Sequence, residues 1–98
     1  IDNTAASEQE CFAMIRRFLS YLPTNVWQLP PFVPTDDPVD RCEDELIRIV
    51  PREARKPYNM KKVLEMVADR GSLFEIQQSY GRSAITAPAR MGGYTVGI

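Results

Sequence analysis

Seven of the chain's eight prolines fall between residues 23 and 57: Pro23, Pro30, Pro31, Pro34, Pro38, Pro51 and Pro57. Each fixes φ and removes an amide donor, so neither a long helix nor a central strand can cross this stretch. Its composition is nevertheless not that of a disordered linker. Val26, Trp27, Leu29, Phe32, Val33, Leu46, Ile47, Ile49 and Val50 need a surface to lie on. The expectation is an extended arm over 23–57 that packs against something, with a helical turn around 43–49. Trp27 is read as the packing anchor of this arm rather than as a ligand-stacking residue.

Regular structure is predicted on either side of the arm. Ser7-Glu8-Gln9-Glu10 has the form of a capping box, and Cys11, Phe12, Ile15, Phe18, Leu19 and Leu22 repeat at helical spacing. Arg16 and Arg17 sit where the negative end of the helix dipole favours cations. The helix is placed at 8–21, with Pro23 beyond it. Asn59 is a second N-cap, and Met60, Val63, Leu64 and Val67 form a stripe. This helix is placed at 60–69, with Gly71 as the residue after its end. The period then falls to two. A short strand is expected over 74–77, a turn at Tyr80-Gly81-Arg82, and a second strand over 84–91. Pro88 argues for an edge or a bulge there. Gly92-Gly93 reads as a two-residue hairpin loop, and Tyr94–Ile98 begins a third strand.

Net charge and residue usage remove several function classes. A formal net charge of -1 gives no field to attract nucleic acid or anionic lipid, so neither partner is expected. No apolar run reaches the roughly 18–20 residues of a membrane helix, and the first residues are not a signal peptide. With no histidine, Ser-His and Cys-His dyads and the commonest zinc ligand are absent. Cys11 and Cys42 form no CxxC pair. Cys11 is expected to be a reduced, buried thiol, a disulfide being the alternative.

The remaining candidates have bland readings beside them. Asp36, Asp37 and Asp40 could offer oxygens to a divalent cation, but the loop lacks the glycine and final Glu of a calcium loop. With Glu43-Asp44-Glu45 it reads as an acidic edge, and no metal is expected. Arg52, Arg55, Lys56, Lys61 and Lys62 could meet a phosphorylated ligand such as a CoA nucleotide. A solvated face, or pairing with the acids at 43–45, is the plainer account. Gly92-Gly93 opens no helix and is not a phosphate loop. By spacing alone the chain is part of an α/β protein and no more. Two helices, a few strands and an end inside an apolar strand lead to the expectation of a single partial domain over 1–98, marginally stable by itself.

The order of segments carries a resemblance. Phe18-Leu19-Ser20-Tyr21-Leu22-Pro23-Thr24-Asn25 is followed by the proline-rich stretch, Lys56-Pro57-Tyr58-Asn59-Met60-Lys61, Phe74-Glu75-Ile76-Gln77, and Ala89-Arg90-Met91-Gly92-Gly93-Tyr94-Thr95-Val96-Gly97-Ile98. This order resembles the carboxyltransferase (beta) subunit of biotin-dependent acyl-CoA carboxylases, the propionyl-CoA and methylcrotonyl-CoA carboxylase group. Asn59, where the family usually has Asp, and Ala87-Pro88, where it usually has Gly-Phe, are departures. The resemblance implies an α/β fold, a piece of a crotonase-like domain of stacked ββα units. It implies a role in moving a carboxyl group from carboxybiotin to an acyl-CoA. The implied cofactor is biotin on a partner carrier. The implied partners are a biotin carboxylase, a biotin carrier subunit and further copies of the parent subunit. The implied location is the cytoplasm, or the mitochondrial matrix in a eukaryote. The family's oxyanion-hole segments match nothing between Ile1 and Ile98, so no catalytic, cofactor-binding or metal residue is assigned. The rival reading is a stand-alone interaction module that docks through the arm, with Trp27 and Phe32 as contacts.

Overall fold

The computed structural model describes residues 3–53 and 55–98; Ile1, Asp2 and Ala54, the last within the predicted arm, lie outside the described residues. Helix α1 spans Glu8–Leu19. The Ser7 hydroxyl accepts from the Glu10 amide at 3.2 Å. Glu10 reaches back one residue further than a capping box requires and takes the Ala6 amide at 2.6 Å. The helix stops two residues before the predicted end. Tyr21 and Leu22 donate to Phe18 and Leu19, three residues back, so the last turn tightens toward Pro23.

The arm carries one helical turn, α2, at Leu46–Ile49, as expected. Helix α3 spans Met60–Val67, capped by the Asn59 side chain on the Lys62 amide at 3.3 Å. It also ends two residues early. Ala68 is extended, and the Asp69 amide turns to the Arg90 carbonyl at 2.8 Å. Gly71 is therefore not the residue after the helix. It sits in the next turn, with φ 70°.

Strands β1, Pro88–Met91, and β2, Tyr94–Gly97, form an antiparallel hairpin that pairs Ala89 with Val96 and Arg90 with Thr95. Gly92 and Gly93 have φ 57° and 85°, the conformation a primed two-residue turn demands. The predicted strand over 74–77 is not a ladder. It makes one bridge, Ile76 with Thr86, and the Phe74 amide donates to the Pro88 carbonyl at 2.9 Å. Pro88 has no amide to return that bond, so pairing fails at the position where a strand needs it. The second strand runs from 88 and not from 84, although Ala87 and Ile98 still exchange both backbone hydrogen bonds, at 3.0 and 2.9 Å. Ala84 instead closes a turn on the Gly81 carbonyl at 2.9 Å.

The core is small: Tyr21, Ala68, Ser72, Ala87 and Ala89 are buried. The radius of gyration is 15.4 Å, against about 13 Å for a compact chain of this length. The accessible surface is 8089 Å², against roughly 5,700 Å² for a compact monomer of this mass. The apolar face of α1 is left largely uncovered, with Phe12, Ile15 and Leu19 exposed. Cys11 lies on it and is exposed and unbridged, as is Cys42, so the expectation of a buried thiol is corrected. Amphipathic spacing marks a face that wants cover; it does not supply the cover. No helix among the described residues is long and apolar enough to cross a membrane.

Candidate functional site

The polar chemistry of the chain gathers where the end of α1, the end of α3 and the hairpin meet. Tyr21, 1% exposed, donates its hydroxyl to the Ser72 carbonyl. The Arg90 guanidinium lies 4.2 Å from the centre of the Tyr21 ring, and its Nη2 donates to the Ser20 carbonyl and hydroxyl, both at 3.0 Å. Arg90 thus places a cation on the C-terminal end of α1, where unpaired carbonyls favour one. Arg17 reaches from the same helix to the Gly71 and Leu73 carbonyls at 2.8 and 2.9 Å. Ser72 completes the cluster: its hydroxyl accepts from the Arg90 amide at 3.0 Å.

Asp69 holds the turn. Its two carboxylate oxygens accept from the Gly92 and Gly93 amides at 2.8 and 2.7 Å. Two adjacent glycine amides are a ready anion site, and here an internal carboxylate fills it. Gly93 is held on its other side by the arm. The Val33 amide donates to the Gly93 carbonyl at 3.0 Å, and Phe32 packs on Tyr94 with ring centres 5.0 Å apart. A Cβ on Gly93 would lie 2.4 Å from the Val33 carbonyl oxygen.

The sequence-level candidates are dispersed. Asp37 forms an ion pair with Arg41 at 2.7 Å and accepts from the Arg70 amide at 3.0 Å, while Asp36 and Asp40 face solvent. The acidic edge is thus partly an arginine partner, and among the described residues no His, Cys, Asp and Glu group of three or more is placed to hold a metal ion. Of the basic residues, Lys56 pairs with Glu53 at 2.7 Å, Lys61 with Glu75 at 2.7 Å and Lys62 with Glu45 at 3.5 Å. Arg52 and Arg55 are exposed. Trp27 is 92% exposed, so it is not the anchor of the arm; Phe32 is. The tie on the far side of the arm is Arg41, which donates to the Met66 and Ala68 carbonyls at the end of α3. Neither Arg41 nor Asp69 stood out in the sequence, because their partners lie 23 to 27 residues away with no periodic signal between them. An apolar groove of about 460 Å³ runs between α1 and the 74–76 segment, lined by Cys11, Met14, Ile15, Phe18, Phe74 and Ile76. It contains a thiol but no base beside it.

This architecture has known counterparts. Residues 1–98 match the carboxyl transferase domain along their whole length. The chain is 43% identical over 93 residues to a propionyl-CoA carboxylase carboxyltransferase subunit of Haloferax mediterranei, covering 94% of this chain and 18% of that protein. It is 37% identical over 94 residues to the methylmalonyl-CoA decarboxylase subunit alpha of Veillonella parvula, covering 96% of this chain and 18% of that one. Among solved structures, it superposes with a TM-score of 0.91 at 30% identity on the transcarboxylase 12S, a hexamer crystallised with methylmalonyl-coenzyme A and methylmalonic acid; 99% of this chain and 18% of that one are covered. The chain therefore spans about a fifth of the length of these relatives. The expected α/β piece of a crotonase-like domain is borne out by that superposition. A whole-length match to the domain, together with close agreement of fold and sequence, places this chain in the carboxyl transferase domain family.

Proposed function

We propose that this chain is a scaffold segment of a carboxyltransferase that moves a carboxyl group from carboxybiotin to an acyl-CoA. The observation that carries the reading is the agreement of fold and sequence with carboxyl-transferring relatives over nearly every residue of the chain. The polar geometry fits a scaffold. Carboxyl transfer to carbon needs donors held ready for an enolate oxygen. The adjacent glycine amides here, Gly92 and Gly93, are already taken by Asp69. Arg17, Arg41 and Arg90 are spent on backbone carbonyls. Relatives named as carboxylase, decarboxylase and transcarboxylase each match this chain over 94% or more of its length, as a support common to several reactions would. On this reading the catalytic groups lie elsewhere in the parent protein. Its partners are a biotin carboxylase, a biotin carrier and further copies of the subunit, in the cytoplasm or the mitochondrial matrix.

The test is carboxyl transfer from carboxybiotin to propionyl-CoA by the parent protein that contains this segment. Arg52→Ala with Arg55→Ala removes two exposed cations that could meet a CoA phosphate. It should leave kcat/KM unchanged. A loss of roughly tenfold or more with the fold intact would put a substrate contact in this segment and overturn the scaffold reading.

A further inference from the structure

The docked part of the arm, residues 32–43, is fastened at two places, and both fastenings lead to the same short segment after α3. At the front, the Val33 amide donates to the Gly93 carbonyl at 3.0 Å, and the Gly93 amide in turn donates to Asp69 Oδ2 at 2.7 Å. At the back, Arg41 Nη2 donates to the Met66 carbonyl and, at 2.8 Å, to the Ala68 carbonyl. Asp37 adds a link of its own. Its Oδ2 accepts from the Arg70 amide at 3.0 Å and pairs with Arg41 Nη1 at 2.7 Å. The Asp37 side chain is 6% exposed, so its charge depends on those donors. Ala68, Asp69 and Arg70 are consecutive, and the Asp69 amide ties the segment to the Arg90 carbonyl at 2.8 Å. All of these partners lie within the described residues.

We infer that residues 32–43 are a strap that docks and releases as one unit, with residues 68–70 as its shared catch. The span between the two fastenings is short and stiff. Pro34 and Pro38 fix φ, the Asp37 amide is held on the Thr35 hydroxyl at 3.1 Å, and the Arg41 amide closes a turn on the Pro38 carbonyl at 3.1 Å. While one end is held, the other rejoins within the molecule at an effective concentration of about a millimolar or more, and release of the first end removes that advantage. The catch couples the ends a second time. The bonds from Arg41 and Asp37 fix residues 68 and 70, and so fix where the Asp69 carboxylate presents the Gly93 turn to Val33. Loss of either fastening therefore loosens the other. A ligand or partner that took over the Gly93 turn or the Arg41 guanidinium would release the whole strap, at a distance from the end it touched. This device is independent of the carboxyl-transfer reading, since it rests on bonds within the chain.

Amide hydrogen exchange on the parent protein that contains this segment, read by mass spectrometry at residue level, tests the coupling. The Val33 amide reports the front fastening and the Arg70 amide the back one. The Ile98 amide, bonded to the Ala87 carbonyl, reports the hairpin beneath. After correction for intrinsic rates, Val33 and Arg70 should share one opening constant, larger than that of Ile98. Phe32→Ala removes only the front contact with Tyr94 and should speed both amides by one factor, roughly tenfold. Arg41→Ala acts only at the back and should likewise speed both by one factor, with Ile98 still protected. If Arg41→Ala does not fold, Phe32→Ala decides the matter alone, since it truncates a half-exposed ring. Two outcomes would overturn the inference. One is a variant that speeds exchange at its own end and leaves the other end unchanged, which makes the fastenings independent contacts. The other is opening of Val33 and Arg70 only together with Ile98, which leaves no strap separate from the body.

Discussion

Two neighbouring stretches of the proline-rich arm, residues 24–31 and 32–43, are similarly apolar and differ in charge and in what holds them. From Phe32 to Glu43 the arm is tied to the body at both ends. Phe32 and Val33 dock on the hairpin turn, and Arg41 grips the last carbonyls of α3 while pairing with Asp37 and Glu43. From Thr24 to Pro31 its internal bonds are local: Asn25 receives the Trp27 amide at 3.0 Å on its side chain and the Gln28 amide at 3.2 Å on its carbonyl. Trp27 and Leu29 stand 92% and 90% exposed at the tip. Hydrophobicity does not separate the halves, since the tip is at least as apolar as the docked part. Directional partners do. A fixed carbonyl on Gly93 and two helix-end carbonyls define where the docked half sits, and among the described residues no such partner outside the tip is bonded to it.

Removing the directional partners should erase the difference, and the largest effect is expected at Arg41. Its guanidinium and Asp37 form an ion pair whose side chains are both largely buried, and Arg41→Ala leaves the carboxylate with Arg70 alone. Breaking a buried pair from one side should cost about 3 kcal/mol, read as a lower urea midpoint with an unchanged slope. A midpoint shift within error would show that the arm is held without Arg41. Gly93→Ala comes next. Its φ of 85° is unfavourable for any side chain, and the new Cβ falls 2.4 Å from the Val33 carbonyl oxygen. About 2 kcal/mol is expected from backbone strain and the displaced arm. The specific sign is faster exchange of the Val33 amide, with the hairpin amides of Val96 and Ile98 keeping their protection.

The same distinction explains what the sequence did and did not disclose. Both helices, the turn at α2 and the glycine hairpin were legible, because each rests on contacts within a few residues: the Ser7 and Asn59 caps, the apolar stripes, two glycines at positive φ. Boundaries set from far away were not. Helix α3 ends at Val67 because Asp69 must reach the hairpin, and no nearby residue announces it. The strand over 74–77 failed for a reason half visible in advance. Pro88 was recognisable as a poor ladder residue, but the sequence could not say that its missing amide faces Phe74. Trp27 was misread because size and hydrophobicity indicate what would gain from burial, not where a surface is available. The cluster of Tyr21, Ser72, Arg90 and Asp69 was missed as a unit, since its members meet only once the fold exists.

The smaller predictions set the two aromatic residues of the arm against each other. Phe32 is 54% exposed and rests on Tyr94, so truncation to alanine forfeits about half of a buried phenylalanine's transfer energy plus part of a ring pair. Phe32→Ala should cost about 1–2 kcal/mol in urea unfolding. Trp27→Ala should change stability by less than about 0.5 kcal/mol, because the ring gains no cover from this chain and leaves no cavity behind. The pair of values is more informative than either alone. A Trp27 effect equal to that of Phe32 would mean that the tip lies on the body in solution, and the contrast between the halves would be lost. If Trp27→Ala leaves unfolding unchanged but weakens association with a second copy or with the parent's partners, the tip's apolar surface serves an intermolecular contact, and its lack of a directional partner within the chain is what leaves it available.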